Sequence, residues 1–212
     1  MKHHPRLLAF LSALLALTLL TACSEKGPDA TSDEKEPAPS VNKKTEAPAP
    51  EWETWVYQDD ALRYELPVGW VKNEAYSSDQ MRLAFFTMEH PTTETPSNVN
   101  IQILNRNNQS QDFDYSDPEV QADFHDFLLS PDGLPQKEAQ TGTYSAKKIQ
   151  DLWVYSLSFS RDRGDGVMVQ QTCYFPMGLP YSISIWATDF QDDCSPSVEE
   201  VSEQICATLE IL

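Results

Sequence analysis

Few residues in this chain have the type and spacing to do chemistry. The 212 residues hold four cysteines, Cys23, Cys173, Cys194 and Cys206, and four histidines. No two cysteines stand in Cys-x-x-Cys spacing, which disfavours zinc binding and thioredoxin-type redox work. His90 sits in "TMEHPTT" beside Glu89 and before a proline. His125 lies in "DPEVQADFHDFLLS", about 140° around a helix from Val120, so it points away from the apolar face. Both read as surface histidines. The chain lacks a Gly-x-Ser-x-Gly elbow, a His-Glu-x-x-His pair and a phosphate loop. The expectation is therefore no catalytic residue, no metal ligand set and no cofactor.

Carboxylates are abundant but poorly spaced for a site. "RDRGDG" (161–166) contains Arg163-Gly164-Asp165, a tripeptide that adhesion receptors read, yet Gly and Asp also belong there as the turn of a hairpin. Asp162 with Asp165, or Asp192 with Asp193 in "FQDDCS", offer oxygens to Ca²⁺ without EF-hand spacing, and solvated turns account for them. "NRNNQSQDFDYSD" (105–117) is a long polar stretch and the loop best suited to contacts. Of the five tryptophans, Trp70, Trp153 and Trp186 read as core. Trp52 and Trp55 are out of phase with strand alternation, so one of them is expected to face solvent as a contact anchor.

The N-terminus carries the strongest signal. An apolar run from Leu7 to Leu20, broken only by Ser12 and Thr18, follows Lys2 and Arg6. At roughly 14 residues it is shorter than the ~20 that cross a bilayer, and it has the build of a signal peptide. It ends in Leu20-Thr21-Ala22-Cys23, which resembles the lipobox of bacterial lipoproteins. That resemblance implies removal of residues 1–22 and acylation of Cys23, including palmitate. It also implies a domain held by lipid to the cell membrane or outer membrane, facing away from the cytoplasm. An uncleaved anchor or an ordinary signal peptide leaves Cys23 unexplained.

Removing residues 1–22 takes Lys2 and Arg6 and no acid. The 15 basic residues become 13 against 33 acidic ones, a formal charge of −20. Such a surface repels nucleic acid. Residues 23–51 are mostly Pro, Ala, Glu, Lys, Ser and Thr and lack aromatics, so they are expected to form a disordered tether. At about 3.1 Å per residue in its Ala-Pro stretches, it would hold a domain well clear of the membrane.

Residues 52–212, about 160 in number, suffice for one domain. "LRYELP" alternates apolar with charged residues and stops at Pro67. "MRLAFFTM", "NVNIQIL", "LWVYSLSFS", "VMVQQTCYF" and "YSISIWAT" are likewise β-rich. Asp117-Pro118 and Ser195-Pro196 open two helices, with Val120, Phe124, Phe127 and Leu128 on the face of one and Val198, Val201, Ile205 and Leu209 on the other. This is an α+β pattern, an antiparallel sheet with helices packed on its faces.

"YELPVGWVK", an apolar strand ending in Pro-x-Gly-Trp, resembles the entry of the PsbP-like superfamily. With a preceding aromatic strand, a mid-chain helix, three hairpin-linked strands and a C-terminal helix ending in "LEIL", the resemblance covers residues 52–212. It implies a central antiparallel sheet with helices on both sides and supplies no catalytic motif. The resulting expectation is a non-enzymatic protein-binding or assembly module of the envelope, with an envelope protein as partner. A small-ligand or divalent-metal carrier, or an envelope enzyme, is the alternative.

One pairing remains among the thiols. Cys194 and Cys206 sit roughly 13 Å apart along a helix, beyond the ~7 Å limit of a disulfide. A hairpin turning around Met177–Pro180 would pair Cys173 near Ile183, with the returning helix bringing Cys206 near Ile183–Ile185; buried, reduced thiols are the alternative. A Cys173–Cys206 bridge, or at least proximity, is expected, with Cys194 free.

Overall fold

The structure, a computed structural model, describes residues 52–105, 113–134 and 136–212. The apolar leader, Cys23, the 23–51 tether and most of the polar stretch at 105–117 lie outside the described residues.

In chain order the elements are β1 (Thr54–Gln58), β2 (Leu62–Pro67), β3 (Trp70–Lys72), β4 (Leu83–Met88) and β5 (Asn98–Asn105). Then come α1 (Pro118–Leu128), a 3₁₀ turn (Lys137–Thr141), β6 (Thr143–Ile149), β7 (Leu152–Asp162), β8 (Met168–Pro176) and β9 (Ser182–Asp189). The last two are α2 (Val198–Thr208) and β10 (Glu210–Ile211). Seven strands form one sheet in the order β3-β4-β5-β9-β8-β7-β6, and β1-β2-β10 form a smaller one. Every pairing is antiparallel. The fold is α+β, with one helix on each face of the large sheet.

Each face has its own core. On one side, α2 (Val198, Val201, Ile205) and β2 (Leu62, Tyr64, Leu66) pack on Phe86, Ile101, Ile183 and Ile185. On the other, α1 (Val120, Phe124, Phe127, Leu128) packs on Tyr155, Leu157, Phe159, Cys173 and Phe175. The Pro-x-Gly-Trp entry works as sequence suggests: Gly69 takes a positive φ of 92°, and Trp70 returns fully buried.

Both helices start with side-chain caps. Asp117 accepts a hydrogen bond from the Glu119 amide at 2.9 Å, with Pro118 in the first turn. The second helix begins two residues later than Ser195-Pro196. Its N-cap is Ser197, locked by a capping box with Glu200, because Ser-x-x-Glu satisfies two amides that an N-terminus otherwise leaves open. It also ends early. Leu209 is extended, and Glu210–Ile211 pair with β2.

The expected disulfide is absent. Cys173, Cys194 and Cys206 are all free thiols. Cys173 faces the α1 core and Cys206 the α2 core, so the sheet stands between them. The register explains the error. Cys173 lies opposite Trp186, not Ile183, and a shift of three residues, being odd, turns a side chain to the opposite face.

Candidate functional site

The central strand of the large sheet, β9, reads "SISIWATD". Its alternation sends Ile183, Ile185 and Ala187 into the α2 core and Ser182, Ser184, Trp186 and Thr188 to the opposite face. Its neighbour β5 repeats the pattern, with Val99, Ile101 and Ile103 one way and Asn98, Asn100 and Gln102 the other. The register aligns the polar sets: Gln102 opposite Ser184, Asn100 opposite Trp186, and Asn98 opposite Thr188. Continuing across the sheet, Trp186 faces Cys173 on β8, which faces Leu157 on β7, which faces Tyr144 on β6. One face is thus apolar under α1 and polar over β5 and β9, and Trp186 stands at the join.

These polar side chains are buried. Ser182 is 1% exposed, Ser184 2% and Gln102 5%. Among the described residues, ten buried side-chain nitrogen and oxygen atoms have no hydrogen-bond partner. Six belong to residues that alternation places on this one face: Gln102 Oε1, Arg161 Nε, Gln171 Oε1, Ser182 Oγ, Ser184 Oγ and Trp186 Nε1. Both glutamines are held by their other ends. Gln102 Nε2 donates to the Met81 carbonyl at 3.1 Å and Gln171 Nε2 to Thr188 Oγ1 at 3.2 Å. Their carbonyl oxygens are therefore held in place, buried and without a partner. The 73–82 loop borders the polar half, with Tyr76 resting on Phe85 at 5.3 Å between ring centroids.

A buried polar group without a partner costs about 1–3 kcal/mol. Native proteins fill such positions with ordered water or with a ligand. Apart from the Arg161 guanidinium, the groups gathered here are neutral donors and acceptors.

The residues singled out from sequence lie elsewhere. Trp55 is half-buried, and its Nε1 donates to the Trp70 carbonyl at 2.9 Å, which makes it a brace between β1 and the start of β3. Trp52 is also half-buried. Arg163 and Asp165 bind each other through Nε and Oδ2 at 3.0 Å, and Asp162 Oδ1 accepts from the Gly164 and Gly166 amides at 2.7 and 3.1 Å. The arginine holds the Asp165 carboxyl below its ordinary range. The tripeptide is thus closed on itself as a turn. Asp192 Oδ2 accepts from the Ser97 amide at 2.8 Å. Among the described residues no three His, Cys, Asp or Glu side chains converge as a metal site would require. His90 is exposed, and His125 lies 4.6 Å from Tyr144 between ring centroids.

No family model matches the chain. No curated protein matches it either. Solved structures do. A protein of Bacteroides thetaiotaomicron VPI-5482 is similar at a TM-score of 0.49 and 11% identity, over 76% of this chain and 48% of that one. This chain therefore spans about half that protein's length. Cyanobacterial PsbP (CyanoP) from Synechocystis sp. PCC 6803 is similar at 0.44 and 12% identity, over 80% of this chain and 99% of its own. LpqN, involved in cell envelope biogenesis of Mycobacterium tuberculosis, is similar at 0.44 and 13% identity, over 75% and 90%. At these scores the site rests on the chain's own residues.

The thiols are poor nucleophiles. Burial raises Cys173 and Cys206 far above the ordinary thiol range. Half-buried Cys194 is pushed up to about 11, first by desolvation and then by the Asp192 carboxylate. Burial favours the neutral thiol, so the thiolate forms only as pH rises through the folded value. Alkylation of the folded protein at Cys194 is expected to be slower at pH 8 than that of an open thiol, and to accelerate as pH approaches 11. A rate at pH 8 equal to that of the unfolded chain would refute this.

Proposed function

We propose that this chain is a cell-envelope lipoprotein, held to its membrane by a lipid on Cys23, whose 52–212 domain binds or assembles with an envelope protein and does no catalysis. The observation that carries it is the order of parts. An apolar run too short to span a bilayer ends at Leu20-Thr21-Ala22-Cys23, a Pro/Ala/Glu-rich stretch follows, and a folded α+β domain begins near Trp52. The lipid supplies the membrane contact and the 23–51 stretch the reach. Suppressed thiols favour binding over catalysis, and a charge of −20 opposes nucleic acid as a partner.

The test is to feed cells an alkyne-bearing fatty acid and fractionate the full-length protein. The wild type should carry the label and sediment with membranes, and Cys23→Ser should lose both, whereas Cys194→Ser loses neither. Retention of label by Cys23→Ser would end the anchor reading. Cross-linking in intact cells addresses the domain. One dominant envelope neighbour, lost on deleting residues 52–212, is expected, and its persistence after the deletion would overturn the module reading.

A further inference from the structure

We propose that the open edge of β6 is a docking surface for a second copy of this chain, which joins it strand to strand across a two-fold axis through Ala146. The strands that end the two sheets are β3, β6, β1 and β10, with three, seven, five and two residues. The longest of these edges is β6, and its seven pairs with β7 run without a bulge. Proline, a bulge or a covering segment commonly blunts such an edge. Thr143–Ile149 contains no proline, and Thr143, Ser145 and Lys148 are exposed.

The β6–β7 hairpin decides which backbone groups point outward. Gln150, at a φ of 53°, and Asp151 form a two-residue loop, so Ile149 and Leu152 make the first hydrogen-bonded pair. Hydrogen-bonded pairs alternate along an antiparallel ladder, which leaves the N–H and C=O groups of Tyr144, Ala146 and Lys148 turned away from β7. Among the described residues none of these groups has a backbone partner on the open side. An antiparallel copy placed with Ala146 opposite Ala146 pairs Tyr144 of each chain with Lys148 of the other. All three open residues of both copies are then engaged, each pair exchanging both of its hydrogen bonds. Sliding one copy by two residues leaves one open residue of each chain without a strand partner.

Side-chain chemistry selects the same register. Directly opposite residues share a face, so Lys147 meets Ser145 and Lys148 meets the Tyr144 ring, a cation–π partner. An axis through Lys147 would instead set that lysine against itself. On the α2 face, Lys147 Nζ binds Glu203 Oε1 at 2.5 Å. The two-fold sets the two Lys147 residues diagonally across the strands, about 7–8 Å apart, so two lysines and two glutamates gather about the axis as a balanced set. A chain this acidic repels its own copies over most of its surface. Helices α1 and α2 carry three acids each and no lysine or arginine, whereas β6 carries two lysines and no acid. The approach least opposed by charge is therefore along β6.

The inference is separate from the lipid anchor, because a membrane-permeant bis-maleimide reads it on either side of a membrane. Full-length protein carrying Cys194→Ser would be cross-linked in intact cells, with Ser145→Cys in one variant and Thr143→Cys in another. Both sites are exposed and share one face of the strand. Across the axis the two copies of position 145 lie about 8 Å apart, and those of position 143 about 20 Å apart. Ser145→Cys is expected to give a species of twice the chain mass, severalfold more than Thr143→Cys does. Adding Lys148→Pro, which removes an N–H that β7 does not use, should abolish that species and leave thermal unfolding unchanged. If that variant fails to fold, Lys147→Glu serves, because it makes the four charges about the axis all acidic. Equal linking at both positions, linking at neither, or a dimer that survives the variant overturns the proposal. Linking of position 145 to a different protein alone overturns it as well.

Discussion

Phe124→Ala is expected to cost roughly 3–5 kcal/mol of stability, with the loss falling first on α1. This helix shares no hydrogen-bonded ladder with the sheet; besides the Tyr144 hydroxyl, which donates to the Gln121 carbonyl at 3.2 Å, its apolar side chains are what fasten it. Phe124 is the centre of that attachment. It is 1% exposed, and its ring lies 5.4 Å from both Tyr155 and Phe175 and 6.2 Å from Phe127, centroid to centroid. Truncation would leave a cavity walled by strands that cannot collapse, because β7 and β8 are held to each other along nine residue pairs. Urea denaturation should show a lower midpoint. Hydrogen exchange should show α1 amides opening faster while those of β5 and β9 keep their protection. A loss below about 1 kcal/mol, or uniform acceleration across the sheet, would refute this account of α1.

Gly133→Ala is expected to be nearly as damaging, at about 3 kcal/mol, for a steric reason. A Cβ at Gly133 would stand 2.2 Å from the Phe127 carbonyl oxygen and 2.5 Å from that of Leu128. Both are backbone atoms at the end of α1, and the Leu128 oxygen already accepts from the Leu134 amide at 2.8 Å. Neither can retreat without breaking the turn that closes the helix. Gly166→Ala is the control. Its φ of 82° strains any side chain, but a Cβ there meets open space, so its cost is limited to about 1–2 kcal/mol. Thermal unfolding of the two variants should rank Gly133→Ala the less stable, and the reverse order would show that the α1 end is free to move.

Much of this fold is legible where side-chain pattern and backbone demand coincide. Leu62, Tyr64 and Leu66 alternate because β2 has one wet face, and Pro67 stops it. Asp117-Pro118 fixes the start of α1 by supplying an acceptor and a residue that needs no amide partner. Strand β6 is harder to read. "TYSAKKI" lacks a run of large apolar residues, and it is a strand because the long edge of β7 offers it seven partners. The candidate site hides for a related reason. Serine, asparagine and glutamine are ordinarily solvated, so Ser182, Ser184 and Gln102 read as the outer face of two strands. The usable signal was joint: "NVNIQIL" and "SISIWAT" both alternate β-branched with small or amide side chains, and only their pairing puts the polar sets together. The cysteine pairing failed on hairpin length, since side-chain period says nothing about how many residues a loop consumes.

The small sheet also has a mechanical meaning. Thr54 lies opposite Pro67, at the open end of the β1–β2 hairpin, while Gln58 and Arg63 flank its turn. A pull arriving from the N-terminal side therefore loads the rungs of this hairpin one after another, in unzipping and not in shear. The Trp55 indole, clipped to the Trp70 carbonyl, meets that load after the Val68–Glu53 hydrogen bond and Thr54. Under tension from that side the domain would surrender β1 before any strand of the large sheet, adding slack at its N-terminal end while the polar face of β5 and β9 stays intact.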